Sequence, residues 1–307
     1  MIQKMTYLLT GYGYDDTGLA YLYGDLLEKT GTQRKKITME EARYMSLSLI
    51  KSERHCIGYY NPTQGTTLPC PDQCIMKSNQ SMCASCQAAS TFNPAFYHTR
   101  ISNLSPYQQS YNLTPHTVYL AYFGPHSFKV GIAHRKRLKT RWLEQGARAG
   151  LVLIEASNAY EARKWEESIS QKFQLPEKVM FSQKEKLLSH AYQFQKAKYL
   201  LHELGNRIME HFFNKSLANE ALDLQGYYFK IQQPNQLYPT NIAQQLWGGK
   251  IVGLLGDILI YHHSDYFFYC GLKPLLGRIM IQLFKTADPL IKLPKHNGLQ
   301  TKLDLFV

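Results

Sequence analysis

Residues 117–141 read TVYLAYFGPHSFKVGIAHRKRLKTR. β-Branched and aromatic residues over 117–123 and 128–132 predict two strands, with a tight connection at Gly124 and Pro125. The chain then leaves the second strand through Gly131 and enters a helix on which Leu138 and Trp142 sit four apart. Lys129, Arg135, Lys136, Arg137, Lys139 and Arg141 fall in this run, and residues 129–141 contain no acidic side chain. Such a one-signed run suits a phosphate backbone, because each cation that meets a phosphate releases counterions.

Working outward, residues 151–156 predict a third strand. A helix starting at Ser157 or Asn158 follows, with Ala162, Trp165, Ile169 and Phe173 along one face. These elements define an α/β core over residues 113–182. Upstream, residues 1–55 predict a β/α segment: glycine-punctuated strands, then a helix opened by Thr38 and Glu41 in a capping box, with Ala42, Met45 and Leu49 at helical spacing. Downstream, residues 183–307 predict one long helix past Leu201, with a break at Gly205. Strands at 227–231, 250–261, 266–270 and 278–284 follow, as a small β-barrel or sheet domain.

Between the N-terminal segment and the core, residues 56–112 are rich in Pro, Gly, Asn, Ser and Gln and lack periodicity. Five of the six cysteines, Cys56, Cys70, Cys74, Cys83 and Cys86, lie there, and only Cys270 stands apart. Thiols so clustered in a polar stretch predict metal ligation, and Cys83-x2-Cys86 supplies a paired turn that brings two sulfurs to one zinc ion. By spacing, either Cys70 with Cys74 or Cys56 with Cys70 completes the set. Four sulfurs leave no place for a reactive water, so the zinc is expected to be structural.

The chain has 307 residues, 44% of them hydrophobic, and a mean hydropathy of −0.34, which excludes a fibrous or wholly disordered protein. Its 35 basic and 23 acidic side chains leave a net charge of +12, so a polyanion, DNA or RNA, is the first partner to consider. The most apolar stretch, residues 251–261, is interrupted by Asp257 and falls short of the roughly 20 residues that a spanning helix needs. No membrane partner and a cytoplasmic location are therefore expected.

Two resemblances add to this reading. Thr117-Val118-Tyr119, Lys129-Val130-Gly131, the Leu138-x-x-Arg141 spacing and Ala162-x-x-x-Glu166-x-x-Ile169 resemble the motifs of the GIY-YIG nucleases. That resemblance implies a small mixed-sheet core in which Tyr119 helps to activate water, Arg141 steadies the scissile phosphate and Glu166 holds a divalent Mg or Mn ion. Lys129 stands where the second tyrosine of the motif would be, and Gln145 stands four residues after the arginine.

Over most of its length the sequence also resembles the prokaryotic family catalogued as domain of unknown function 2797. The residues that carry this are Cys56-Ile57-Gly58, Pro69-Cys70-Pro71, Cys83-x2-Cys86, His116-x-Val118-Tyr119, the segment 141–147 and Gly253-Leu254-Leu255-Gly256. This resemblance implies Cys56, Cys70, Cys83 and Cys86 as the zinc ligands, with Cys74 spare. The expectation is an α+β protein with a GIY-YIG-like core, an inserted cysteine-zinc module and a C-terminal helix plus β domain. It would bind nucleic acid through Lys129, Arg135, Lys136, Arg137, Lys139 and Arg141. The alternatives are a metal-dependent endonuclease using Tyr119, Arg141 and Glu166, and a protein-interaction scaffold.

Overall fold

The computed structural model describes residues 6–28, 31–39, 41, 44–50, 53–61, 64–76, 80–90, 92–93, 96–188, 190–228, 236–241 and 246–284. Strands β1 (Thr6–Tyr14), β2 (Ala20–Glu28), β3 (Gly31–Thr38) and β4 (Tyr44–Leu49) come first. Short strands β5 (Arg54–His55), β6 (Tyr59–Asn61), β7 (Thr66–Leu68) and β8 (Ile75–Met76) follow, with helices α1 (Ala84–Ala89) and α2 (Pro106–Asn112). The middle of the chain runs β9 (His116–Gly124), β10 (Ser127–His134), α3 (Leu138–Gln145), β11 (Ala149–Ala156), α4 (Ala159–Phe173), α5 (Phe181–Leu187) and α6 (Phe194–Phe213). Strands β12 (Leu222–Asp223), β13 (Tyr238–Pro239), β14 (Leu246–Leu255), β15 (Ile258–His263), β16 (Tyr266–Gly271) and β17 (Ile279–Phe284) complete the described elements.

The expected hairpin forms as β9 and β10, and β11 pairs with the other edge of β9. With β12 they make a four-stranded sheet in the order β10-β9-β11-β12, antiparallel throughout rather than mixed as expected, which leaves β10 at an edge. Side chains alternate across it as strand geometry demands. Val118, Leu120 and Tyr122 pack with Ala162 and Ile169 of α4 and with Ala197, Leu201 and Ile208 of α6. Tyr119, Ala121 and Phe123 face the other way, into a core shared with Leu9, Leu47, Trp247 and Ile260 of a larger sheet. Two sheets and a helical layer are thus stacked face to face. As expected, Asn158 caps α4, its side chain accepting from the Glu161 N–H.

The larger sheet is mixed and nine-stranded, in the order β13-β16-β15-β14-β4-β17-β1-β2-β3, with β13 and β16 parallel. Strands from residues 1–55 and from the C-terminal part of the chain therefore share one sheet, which runs from edge to edge. β4 pairs with β14 on one side and β17 on the other. That pairing corrects the helix expected after Thr38. The reciprocal capping bonds do form, Thr38 N to Glu41 Oε2 at 3.0 Å and Glu41 N to Thr38 Oγ1 at 3.3 Å, but the chain continues as a strand. Ladder bonds on both edges and burial of Met45 and Leu47 outweigh a local helix signal. Ala42 lies outside the described residues.

The long helix expected from residue 183 is instead two helices, α5 and α6. Arg148, 2% exposed, donates from Nη1 to the His190 carbonyl at 3.0 Å and from Nη2 to the Leu187 carbonyl at 3.1 Å. These are carbonyls at and just beyond the end of α5, which a continuing helix would have satisfied itself. Gly205 does not break α6; it is buried there, and a Cβ at that position would lie 3.0 Å from Leu151 Cδ2. The strand expected at 227–231 begins as a single 3-10 turn, Gln225–Tyr227, and residues 229–231 lie outside the described residues. The stretch 250–261 is the β14–β15 hairpin, turning at Gly256 and Asp257. No helix among the described residues is long and apolar enough to cross a membrane.

Candidate functional site

The polar stretch around the cysteines is organised by its thiols. The Sγ atoms of Cys56, Cys70, Cys83 and Cys86 all lie within 4.8 Å of one another, and Cys70 and Cys83 are 3.9 Å apart. Four sulfurs at about 2.3 Å from a tetrahedral zinc are separated by about 3.8 Å, so the donor set and its spacing are consistent with a structural zinc site. Backbone amides already point at the sulfurs: Cys83 N–H donates to Cys56 Sγ at 3.2 Å and Cys86 N–H to Cys83 Sγ at 3.5 Å. The second of these bonds lowers the Cys83 thiol to about 7, toward the thiolate that a metal requires. Cys74 packs against the group from outside, and its carbonyl accepts from the Cys56 N–H at 2.9 Å. Of the two pairings that spacing allowed, the chain assembles the one with Cys56. Gly58 turns the first knuckle at φ +77°, and a Cβ there would lie 1.9 Å from the Leu68 carbonyl oxygen.

A buried arginine helps to fasten this module to the large sheet, beside the bond from the His55 N–H to the Gly277 carbonyl at 2.7 Å. Arg34 on β3 reaches Asp25 on β2 through Nε at 2.7 Å and Nη2 at 2.8 Å. The same guanidinium donates to the carbonyls of Leu68 at 3.0 Å and Ile57 at 2.7 Å. The two side chains are 7% and 3% exposed. Sequence reading passed over this pair, because nothing local marks a strand arginine as the partner of a knuckle some thirty residues away.

A second group of polar side chains meets at the edge strand β10, in a cavity of about 290 Å³. Tyr119 from β9, Arg141 from α3 and Glu166 from α4 all line it, together with Lys129, Arg137, Arg163 and Glu177. The geometry of Tyr119 follows from the hairpin register. Gly131 is its cross-strand partner, and a Cβ on Gly131 would come within 2.6 Å of the Tyr119 ring and hydroxyl. Only glycine leaves room for the ring, which also meets Trp142 edge-on at 5.6 Å. Gly131→Ala is expected to force the ring aside, to cost about 1–3 kcal/mol in urea denaturation and to change the near-ultraviolet circular dichroism. An unchanged midpoint and spectrum would contradict this packing.

The Tyr119 hydroxyl donates to Gln145 Oε1 at 3.2 Å, and burial pushes the phenol up to about 12, with Arg141 and Gln145 opposing. Glu166, 5% exposed, is held by Arg163 at 2.6 Å, and the same guanidinium reaches Glu177 at 2.8 Å. Burial raises the Glu166 carboxyl from its ordinary range, and Arg163 offsets part of that rise. Lys129 is buried too. Its Nζ donates to the Glu177 carbonyl, and burial lowers its ammonium to about 8, with Glu166 opposing. Arg163 thus already meets the carboxylate expected to hold Mg or Mn, and Lys129 adds a second positive charge nearby. The same arginine also holds Glu177, so a divalent ion at Glu166 would have to displace Arg163.

The basic run divides between the cavity and the surface. Lys129 belongs to the cavity wall. Arg135, Lys136, Arg137 and Arg141 are exposed, and Lys139 lies over the Tyr227 ring at 5.1 Å. Arg137 and Arg141, one turn apart on the approach to and along α3, share Glu144 at 2.8 and 3.6 Å, and Arg135 reaches Glu155 at 3.6 Å. The side chains of these arginines remain about half exposed or more, so such pairs are worth ~0–1 kcal/mol and yield readily to a stronger anion.

The remaining wall of the cavity is aromatic and was not read from sequence as part of a site. Phe92, Phe96, Tyr97 and Tyr111 come from the stretch between the cysteines and β9, and His116 and His134 face each other across the hairpin. Counting back from the turn at Gly124 would have paired the two histidines; nothing in the sequence placed the other rings beside them. His116 Nδ1 lies 2.8 Å from the Thr114 carbonyl, which can only accept, so that nitrogen carries the proton. Burial lowers both imidazoles below their ordinary value.

An α+β protein of two stacked sheets, with a cysteine knuckle clamped to the larger one and a charged cavity at the edge of the smaller, is the class these observations define. Residues 45–267 match the family model described as "Protein of unknown function (DUF2797)", and the chain belongs to that family. No curated protein and no solved structure matches it.

Proposed function

We propose that the protein binds nucleic acid over the cavity at the β10 edge and the exposed face of α3, with a zinc-bound cysteine module bracing the fold beside them. The observation that carries this reading is the gathering of Lys129, Arg137, Arg141 and Arg163 around one cavity beside an exposed basic turn at Arg135 and Lys136. The likeness to GIY-YIG nucleases belongs to the same proposal: Tyr119, Arg141 and Glu166 come from the strand and the two helices that the likeness assigns to them. Two features favour binding over cleavage. The Tyr119 phenol stays protonated at neutral pH, and Glu166 is committed to Arg163. A phenol so far from ionisation is a poor base, and a carboxylate already held by a guanidinium is a poor metal ligand.

Electrophoretic and anisotropy titrations across a salt series test the reading. Affinity should fall as salt rises, and the Arg137→Glu/Arg141→Glu double variant should weaken binding and reduce the salt slope by about 1–2. Glu144→Gln, which frees both arginines, should tighten binding. Affinity independent of salt, or unaffected by the double reversal, would refute the proposal. The convergence of Tyr119, Arg141 and Glu166 also motivates the second reading, phosphodiester cleavage. Metal-dependent cutting that is lost in Glu166→Gln would establish it, and intact substrates across Mg and Mn would leave binding as the function.

A further inference from the structure

The aromatic side of the cavity points to the form of nucleic acid bound. His134 and Tyr111 both line it, and their rings stack at 5.0 Å with planes 24° apart. Tyr107, one turn before Tyr111 on α2, continues the stack at 6.2 Å and 22°. Phe92 and His116 meet Tyr111 edge-on, each at 5.5 Å, so the middle ring is held from the sides. The outermost ring, Tyr107, is 39% exposed. A ladder of parallel rings therefore climbs from the cavity to solvent, and Arg137 and Arg141 line the cavity at its foot. Rings locked by edge contacts lose little freedom when a further planar group is added, which is the property of a preorganised stacking platform.

We propose that this site takes unpaired nucleotides of a single-stranded nucleic acid, whose bases extend the Tyr107–Tyr111–His134 stack while Arg137 and Arg141 hold the adjacent phosphates. The inference rests on the nucleic-acid reading above and narrows it. A duplex keeps its bases stacked on one another and offers a protein only their edges and its backbone, so a ring ladder would gain nothing from it. A cavity of about 290 Å³ is at the small end for ligand sites, a size for one extruded nucleotide rather than a double helix. Stacking accepts any base, so sequence preference should be weak.

The test is fluorescence anisotropy with the full-length protein and labelled probes of about 15 nucleotides, within the range of sites that single strands occupy. The probes are oligo-dT, oligo-rU and a mixed-sequence duplex of equal length. Both single strands should bind about tenfold or more tighter than the duplex at the same salt. Tyr107→Ala should weaken single-strand binding by about fivefold or more and leave the salt slope unchanged, since it removes a ring and no charge. Tyr107→Phe should bind as the parent does. Because Tyr107 is exposed, loss of binding in the alanine variant with an unchanged thermal midpoint separates the ring's contact from a folding defect. Equal affinity for duplex and single strand, or no effect of Tyr107→Ala, overturns this inference while leaving the nucleic-acid reading in place. Failure of every probe to bind overturns both.

Discussion

Cys86→Ser, or removal of metal by a strong chelator, should unfold the segment around residues 53–90 while much of the two-sheet body persists. The buried cluster in that segment consists of Cys56, Cys70 and Cys86, with Tyr59, Cys74, Met76, Met82 and Cys83 packed against it. So little apolar surface cannot order a loop of that length. A structural zinc contributes on the order of 10 kcal/mol of apparent free energy in small domains of this kind, nearly all of it folding free energy of the segment that binds it. The expected results are one zinc per chain by elemental mass spectrometry and fast amide exchange over this segment once metal is gone. Cys74→Ser should keep the metal, since that thiol is outside the four. Protein that purifies without metal and melts identically in chelator would show that the thiols stand idle.

Arg34→Ala should have the next largest effect. It removes the partner of Asp25, which is 3% exposed, and at once strips the Leu68 and Ile57 carbonyls of their donor. Leaving one member of a buried pair uncompensated costs about 3–5 kcal/mol, whereas replacing both members with apolar groups of similar size can be nearly neutral. Urea denaturation of Arg34→Met, Asp25→Leu and the double variant gives the comparison. Each single change should be strongly destabilising and the double change less so than their sum. Asp25 also accepts from Thr10 Oγ1 at 3.1 Å, so some of the loss should remain in the double variant. Strictly additive costs would mean that the two side chains act independently. Since Arg34 holds the backbone on both sides of the first knuckle, the single variants should also speed metal loss to a chelator.

Together the two predictions describe a division of labour. The cysteine module has only a small core of its own and would depend on an ion held by its four thiols and on the guanidinium beneath it. The edge of the smaller sheet has a full core on both faces and can therefore afford an open cavity of charged and aromatic groups.

The elements that were legible in the sequence are those whose causes lie within a few residues. The β9–β10 hairpin announced itself through β-branched and aromatic residues and the Gly124–Pro125 turn, α4 through its Asn158 cap and apolar stripe, and the cysteine knuckle through thiol spacing. The same local reading misassigned Met45 and Leu49, because their four-residue spacing is also a multiple of the two-residue strand repeat, and only neighbours on both sides made the run a strand. It ran α5 and α6 together because Arg148, the side chain that ends the first helix, comes from a distant strand end. It grouped Lys129 with the arginines expected to meet nucleic acid, although strand pairing carries that side chain inward toward Glu177 and Glu166.

By itself the sequence determined a basic α+β chain, a four-thiol ligand set drawn from five candidates, and a strand–turn–strand–helix run bearing tyrosine and arginine at defined spacing. Only the tertiary structure decided that strands from both ends of the chain would share one sheet, that Arg163 would occupy the carboxylate of Glu166, and that a ladder of rings would stand beside the arginines. Hydrogen-bonded turns, caps and ligand pairs act over a few residues and leave their mark in spacing. Sheet order, buried ion pairs and cavity walls join residues far apart in the chain, and their free energy appears only when the layers close.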